Sequence, residues 1–293
     1  MRFTRTKAVL AAAGLSMALA ACGGGGGSTD VKVEDNPEFD SGTTMAKLAD
    51  AGKITIGVKF DQPGIGFLEP GADAPKGFDI EMGRIIAGAL GIDDGGINWK
   101  QTVSDNREPF LQDGTVDIVI ASYSITDDRR KVVGQAGPYY VTGQQLLVRE
   151  EDKDSITKPE DTKGKKVCSV TGSTSLQRME DEYGASPVPF DTYSECVDQL
   201  EQGTVDAVTT DGAILLGYAA ENPDELEVVG EPFSEERYGI GFSKGDTDMC
   251  QFLTDTIKKS FDDGTWADAF EATLGESGVD TPEPPEPDAN CGA

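Results

Sequence analysis

The sequence predicts an α/β protein of two lobes, mostly parallel sheets flanked by helices, with a ligand cleft between the lobes. Three observations predict it. Short β-branched strands alternate with amphipathic helical stretches, the rhythm of helices covering a parallel sheet. About 230 residues lie between two segments poor in apolar side chains, enough for two lobes of ordinary domain size. Finally, a seven-residue motif occurs twice, Leu111-Gln-Asp-Gly-Thr-Val-Asp117 and Leu200-Glu-Gln-Gly-Thr-Val-Asp206, each ending a helix at glycine and opening a strand at aspartate.

In chain order, residues 54–58 (Ile-Thr-Ile-Gly-Val) read as a first buried strand. Residues 79–90 carry apolar side chains at helical spacing and stop at Gly91. A strand over 97–103, a helix over 107–112 and a strand over 117–121 follow. The rhythm resumes with a strand at 166–170, helices at 175–183 and 194–201, a strand at 206–210 and a helix at 213–221. The last part predicts a strand near 238–242 and helices near 247–262 and 266–274. The first copy of the motif leads to Ser122 and Ser124, and the second to Thr209, Thr210 and Asp211. Ligands of open α/β sheets gather outside the carboxyl ends of strands, so two lobes that each present polar groups there form one crevice. Downstream of Ser124, Thr126 offers a helix cap and Arg129 falls one turn into that helix. Hydroxyls, free helix N–H groups and a guanidinium together suit a carboxylate.

Composition narrows the chemistry. The chain has 53 acidic and 25 basic residues, a formal charge of −28 and no histidine. Such a charge argues against nucleic acid as a partner. Without histidine there is no histidine-based triad and no histidine-ligated zinc, and no cofactor or metal site is expected. At the N-terminus, Arg2, Arg5 and Lys7 precede an apolar run over 8–21 that is too short for a stable membrane span and reads as a signal peptide. Removing 1–21 takes away three positive charges and no acid, so the charge moves from −28 to about −31. Gly23 to Gly27 then form a flexible tether. Five cysteines less Cys22 leave Cys168, Cys196, Cys250 and Cys291. An even number outside the cytoplasm suggests two disulfides. Of the three possible pairings, Cys168–Cys196 and Cys250–Cys291 are favoured because each pair lies within one region of the chain.

Leu19-Ala-Ala-Cys22 resembles the lipobox of bacterial lipoproteins, which implies cleavage before Cys22 and a diacylglycerol on its sulfur. Gly77-Phe-Asp-Ile-Glu-Met82, followed by Ile86-Ala87 and Leu90, is similar to the signature of the family 3 bacterial extracellular solute-binding proteins, the amino-acid receptors of ABC importers. Ser122-x-Ser124-Ile-Thr126-x-x-Arg129, Gly172-Ser-Thr174 and Thr210-Asp211 fall in that family's order, and the resemblance covers about residues 44–275. Gly57-Val-Lys-Phe-Asp-Gln-Pro-Gly64, Asp191-Thr-Tyr-Ser-Glu-Cys196 and Tyr238-Gly-Ile-Gly241 resemble the actinobacterial glutamate-binding lipoproteins, in which the cysteines matching Cys168 and Cys196 are paired.

The resemblance implies a type II periplasmic-binding-protein-like fold. Residues 44–142 and 236–275 would build the first lobe and 143–235 the second, followed by an acidic, Pro-rich tail over 276–293. Lipidated Cys22 and the tether would occupy 22–43. Arg129, with Ser124 and the Ser173–Thr174 turn, is expected to hold the ligand α-carboxylate, and Asp211 the α-ammonium with Ser122 nearby. Lys59 and Arg107 are the candidates for reading the side chain. Tyr123, Phe60 and Phe67 are candidates for walling its aliphatic part. The implied function is a monomeric, lipid-anchored receptor at the outer face of the cell membrane that hands L-glutamate to a permease and catalyses no reaction. Aspartate or glutamine binding, a sensory lipoprotein and a cyclohexadienyl-dehydratase-like enzyme are the alternatives.

Overall fold

The computed structural model describes residue 29 and residues 31–292. The expected signal peptide, Cys22 and the start of the expected tether lie outside the described residues. Helix α1 (Thr44–Ala51) is capped by the Thr43 hydroxyl and enters strand β1 (Ile54–Val58). A small hairpin, β2 (Asp61–Gln62) and β3 (Gly66–Phe67), precedes helix α2 (Phe78–Ala89). Strand β4 (Ile97–Gln101), helix α3 (Arg107–Gln112), strand β5 (Ile118–Val119), helix α4 (Asp127–Arg130) and strand β6 (Gly134–Thr142) follow. The chain then builds β7 (Gln144–Arg149), β8 (Lys166–Val170), α5 (Thr174–Arg178), β9 (Ser186–Phe190), α6 (Tyr193–Glu201), β10 (Ala207–Asp211), α7 (Gly212–Glu221) and β11 (Leu226–Val229). It returns through β12 (Glu236–Phe242) and finishes with α8 (Thr247–Asp262) and α9 (Thr265–Glu271).

Two five-stranded sheets result, in the orders β4-β1-β5-β12-β6 and β11-β7-β10-β8-β9. Each is mixed, more so than the alternation predicts. Strand β1 runs parallel to β4 and β5, and β8 parallel to β9 and β10. The antiparallel pairs all involve β7 or β12, the strands that carry the chain from one sheet to the other. The outward crossing has a single linking residue, Gly143, and a Cβ there would stand 2.4 Å from the Ser234 carbonyl of the returning segment. Only glycine lets the two crossings lie this close.

The predicted helix at 79–90 is α2, and its buried face carries Ile80, Met82, Ile85 and Ile86. Phe78, at its first turn, packs with Tyr139, Tyr140, Trp266 and Phe270 at centroid distances of 5.4–6.0 Å, so α2 and α9 are sealed to β6 by aromatic edges. Strand β9 reads Ser-Pro-Val-Pro-Phe and carries no strand signal, since proline cannot donate to a ladder. It is tolerated because β9 is the outer strand of its sheet. The helix expected over 175–183 keeps α geometry only to Arg178 and closes as a π-turn over Met179–Tyr183.

Both disulfides favoured from the sequence are formed. Cys168 of β8 joins Cys196 of α6, and Cys250 of α8 joins Cys291 of the tail. The first closes a loop with a sequence separation of 28. Chain-entropy reasoning values such a loop at about 3–4 kcal/mol. Urea unfolding of the Cys168→Ser/Cys196→Ser variant is expected to show a loss of that order, and a loss below about 1 kcal/mol would rule out this pair as the main covalent brace of its lobe. Among the described residues no helix is long and apolar enough to cross a membrane, and no group of three or more acidic, cysteine or histidine side chains is placed to hold a metal.

Candidate ligand-binding site

The carboxyl end of β5 leads into Ser122, whose φ of 42° lies in the left-handed region. A serine there is strained, and the site compensates it locally. Asp79, in the first turn of α2 and fully buried, accepts the Ser122 N–H at 2.7 Å on one carboxylate oxygen and the Tyr139 hydroxyl at 2.6 Å on the other. Burial pushes the Asp79 carboxyl up to about 6 against these two hydrogen bonds. So fixed, Ser122 turns its carbonyl to Arg107, whose NH1 lies 3.3 Å away.

Arg107 is 2% exposed and spends its donors on backbone carbonyls. Nε reaches Ser104 at 3.1 Å, NH1 also reaches Ala121 at 3.2 Å, and NH2 reaches Gly172 of the other lobe at 3.2 Å. This leaves one N–H uncommitted out of the five a guanidinium carries. Burial, and then the neighbouring Arg129, push its pKa down to about 10. Arg107 is therefore no surface ion pair with Asp105 or Glu108.

Arg129 sits in the short helix capped by the Thr126 hydroxyl. Its NH1 donates to the Ser124 carbonyl at 2.7 Å, its NH2 to the Gly172 carbonyl at 2.9 Å, and its Nε lies 3.2 Å from Glu108. Two guanidinium groups from the first lobe thus meet one carbonyl of the second. Tyr123 braces both. Its ring centroid is 4.6 Å from Arg107 and 5.0 Å from Arg129, and its hydroxyl donates to Glu108 at 2.8 Å.

In the second lobe Ser173 caps α5 by accepting the Leu176 N–H at 3.0 Å, and its hydroxyl lies 3.3 Å from that of Ser169. The Thr174 hydroxyl donates to Glu236 at 2.9 Å, and Arg178 and Ser234 donate to the same carboxylate. Burial alone would raise Glu236, but hydrogen bonds from Ser124, Arg178, Ser234 and Thr174 outweigh it and hold the carboxyl below its usual range. Asp211, at the end of β10, accepts the Tyr238 hydroxyl at 2.7 Å on Oδ2, while Oδ1 is buried without a partner. Burial, and then Glu236, push Asp211 up to about 7.

These groups converge on a narrow slot of about 10 Å³ between the lobes, room for roughly a single water. Seven of the nine expected ligand-binding residues line it: Arg107, Ser122, Ser124, Arg129, Ser173, Thr174 and Asp211. Tyr123 does not, because it stacks on the arginines instead. Lys59 does not either. It is 3% exposed, and its Nζ donates at 2.8 Å to the Ser104 hydroxyl, which is part of the wall. Burial, and then Arg107, push the Lys59 ammonium down to about 7. Phe60 packs on the core and Phe67 lines a separate crevice beside α7, so neither walls the slot. The wall also contains Ser104, Tyr193, Thr210 and Ile214. Tyr193 and Thr210 lie inside motifs that carry the family resemblance, and Ser104 is three residues before Arg107, but nothing local marks their direction.

The arrangement suits a zwitterion. Cationic N–H donors come from the first lobe, and an unpartnered buried carboxylate oxygen comes from the second.

Residues 54–276 match the model of the bacterial extracellular solute-binding proteins, family 3. The chain belongs to this family. It is 37% identical over 285 residues to the glutamate-binding protein GluB of Corynebacterium efficiens, a match covering 94% of this chain and 92% of that one. It is 35% identical to the glutamine-binding protein GlnH of the Bacillus subtilis ABC transporter, over 88% and 92% of the two chains. Among solved structures, an ancestral arginine-binding protein bound to glutamine superposes with a TM-score of 0.71 at 36% identity, covering 76% of this chain and 98% of that one. The family's two-lobed α/β fold is the fold described above.

Proposed function

We propose that this chain is a lipid-anchored receptor at the outer face of the cell membrane, held through Cys22, that closes its lobes on L-glutamate and delivers it to an ABC importer. The observation that carries an α-amino acid as ligand is Asp211 Oδ1, buried without a partner on a residue that lines a slot together with Arg107 and Arg129. An α-ammonium satisfies that oxygen, and the α-carboxylate takes donors of Arg129 and the Ser173–Thr174 turn. The slot is too small for an amino acid as it stands, so the lobes part about the 143 and 230–235 crossings to admit one. Binding then draws the population to the closed form. The preference for an acidic side chain rests on Lys59, which stands directly behind the wall and whose ammonium, among the described residues, has Ser104 as its one hydrogen-bond partner, and on the uncommitted N–H of Arg107. Kinship with GluB supports the same choice.

Titration calorimetry of the exported chain with single amino acids tests this reading. Glutamate is expected to bind most tightly, and tighter binding of arginine or of any neutral amino acid overturns the assignment.

Glutamine is the second reading, because Lys59 near pH 7 is partly uncharged. The sign of the pH effect separates the two. A ligand carboxylate beside Lys59 raises its pKa, so glutamate binds best with the ammonium charged and gains as pH falls through 7. Glutamine has no charge to offer and does not share that gain. Any titration of Asp211 affects both alike and cancels. The glutamate-to-glutamine affinity ratio is therefore expected to fall up to about tenfold from pH 6 to pH 8, and to become flat and lower in Lys59→Met. A ratio independent of pH in the parent removes Lys59 from the specificity site.

A further inference from the structure

Sequence patterning suggests only an acidic, Pro-rich tail after residue 276, and residues 279–290 form no helix or strand. The tail is nevertheless fastened at its end. Cys291 is bonded to Cys250 of α8. The Cys291 carbonyl accepts the Gln135 N–H at 3.0 Å, and the Asp288 N–H donates to the Gly137 carbonyl at 2.8 Å. Both partners belong to β6, the outer strand of its sheet, so residues 288–291 cover that open edge. The Asp288 carboxylate bridges Arg130 at 3.0 Å and Arg237 at 2.9 Å. A Cβ on Gly292 would stand 2.6 Å from Arg130 Cβ, so the strap lies flush against α4.

Edge covering alone would not need these contacts to converge where they do. Gln135, whose backbone the strap holds, donates its side-chain amide to the Ser124 carbonyl at 3.2 Å and accepts the Thr126 N–H at 3.2 Å. The Ser124 carbonyl is the same atom that receives Arg129 NH1 at 2.7 Å, and Thr126 is the cap of the helix that carries Arg129. Arg130, which the strap holds by charge, follows Arg129 directly. Two routes, one through Gln135 and one through Arg130, lead from the disulfide-fastened strap to the clamp.

We infer that the C-terminal strap 288–291 and Gln135 are positioning elements for the Arg129 clamp and set the affinity for the ligand without touching it. This rests on the reading of Arg129 as the carboxylate clamp, and the experiment separates failure of the two.

Three full-length variants decide it: Cys250→Ser/Cys291→Ser/Asp288→Ala, which unfastens the strap, Gln135→Met, and the combination. In calorimetry, unfastening is expected to weaken glutamate and glutamine by the same factor, about fivefold or more, with their ratio unchanged, since both share the clamp. Gln135→Met is expected to do the same. The combination is expected to bind no worse than the unfastened variant to within about twofold, because unfastening already severs the route through Gln135 together with the one through Arg130. Amide hydrogen exchange over 124–130, read without any amino acid, is expected to quicken in all three. A folded, unfastened variant that binds within twofold of the parent with unchanged exchange overturns the inference, as do losses that multiply in the combination. If the unfastened variant does not fold, Asp288→Ala alone, which breaks the partly exposed ion pairs to Arg130 and Arg237, carries the same readouts. A parent that binds no amino acid refutes the proposed function, and the exchange at 124–130 still decides the strap.

Discussion

Asp211→Asn is expected to weaken every α-amino acid by about 30-fold or more while leaving the ligand-free chain folded and, above pH 7, more stable. The substitution removes the one anionic group with a free, buried acceptor in the slot. Losing one partner of a desolvated charge pair costs about 2–5 kcal/mol, which is roughly 30-fold to several-thousand-fold in affinity. The stability change has the opposite sign. Burial, and then Glu236, push the folded carboxyl up to about 7 from its ordinary value of 3.8. Between those values the folded chain holds a proton that the unfolded chain has lost, so stability falls as pH rises toward 7 and stays reduced above it. A neutral amide escapes that cost and keeps an oxygen for the Tyr238 hydroxyl. Calorimetry and thermal melts at pH 8 read both effects. A variant that binds glutamate within about threefold of the parent removes Asp211 from the ammonium site, and one that melts below the parent at pH 8 overturns the stability cost assigned to its buried charge.

The same contrast explains how much of the site was legible. Ser122, Ser124, Thr126 and Arg129 are neighbours in sequence, and a strand followed by a capped helix sets their mutual directions, so local pattern suffices. Asp211 was legible because β10 ends there and the motif at 200–206 repeats the one at 111–117. The partners that tune these residues come from far away. Asp79 meets Tyr139 across 60 residues, Arg107 meets Gly172 across 65, and Tyr238 reaches Asp211 across 27. Nothing local encodes those encounters. In sequence Asp79 is one more acidic residue opening a helix, although its hydrogen bond from the Ser122 N–H is what holds Ser122 in place. Tyr123 follows the left-handed Ser122, where strand alternation no longer applies. Between Ser122 and Ser124 it points the other way, behind the slot, where it stacks on both arginines. Lys59 is expected among the side-chain readers, but its place behind Ser104 depends on packing that only the assembled lobe creates. The edge strand β9 and the fastened tail were missed for the same reason. Prolines and acidic residues read as open chain until a neighbouring strand and a disulfide give them a place.

Arg129→Ala is expected to weaken glutamate, aspartate and glutamine alike by about 30-fold or more, because each brings the same α-carboxylate. In the structure the guanidinium is held on three sides, by the Ser124 carbonyl, by Glu108 and by the Tyr123 ring, and its NH2 points across the cleft to Gly172. On the proposed reading, a ligand carboxylate takes the place of that carbonyl. The first-lobe contacts stay, so the fork is already oriented when the ligand arrives, and little rotamer entropy is lost on binding. Alanine removes the fork and leaves the ligand carboxylate buried against the Ser124 hydroxyl and α5 amides alone. Lysine at the same position keeps a charge but presents a single point rather than a planar pair of donors, so Arg129→Lys is expected to fall between parent and alanine. The glutamate-to-glutamine ratio discriminates. It should stay within about twofold of the parent in both variants, whereas Lys59→Met lowers it. Calorimetry with the three ligands reads all of this, and a loss confined to glutamate and aspartate would make Arg129 a reader of the side chain and move the α-carboxylate elsewhere in the slot.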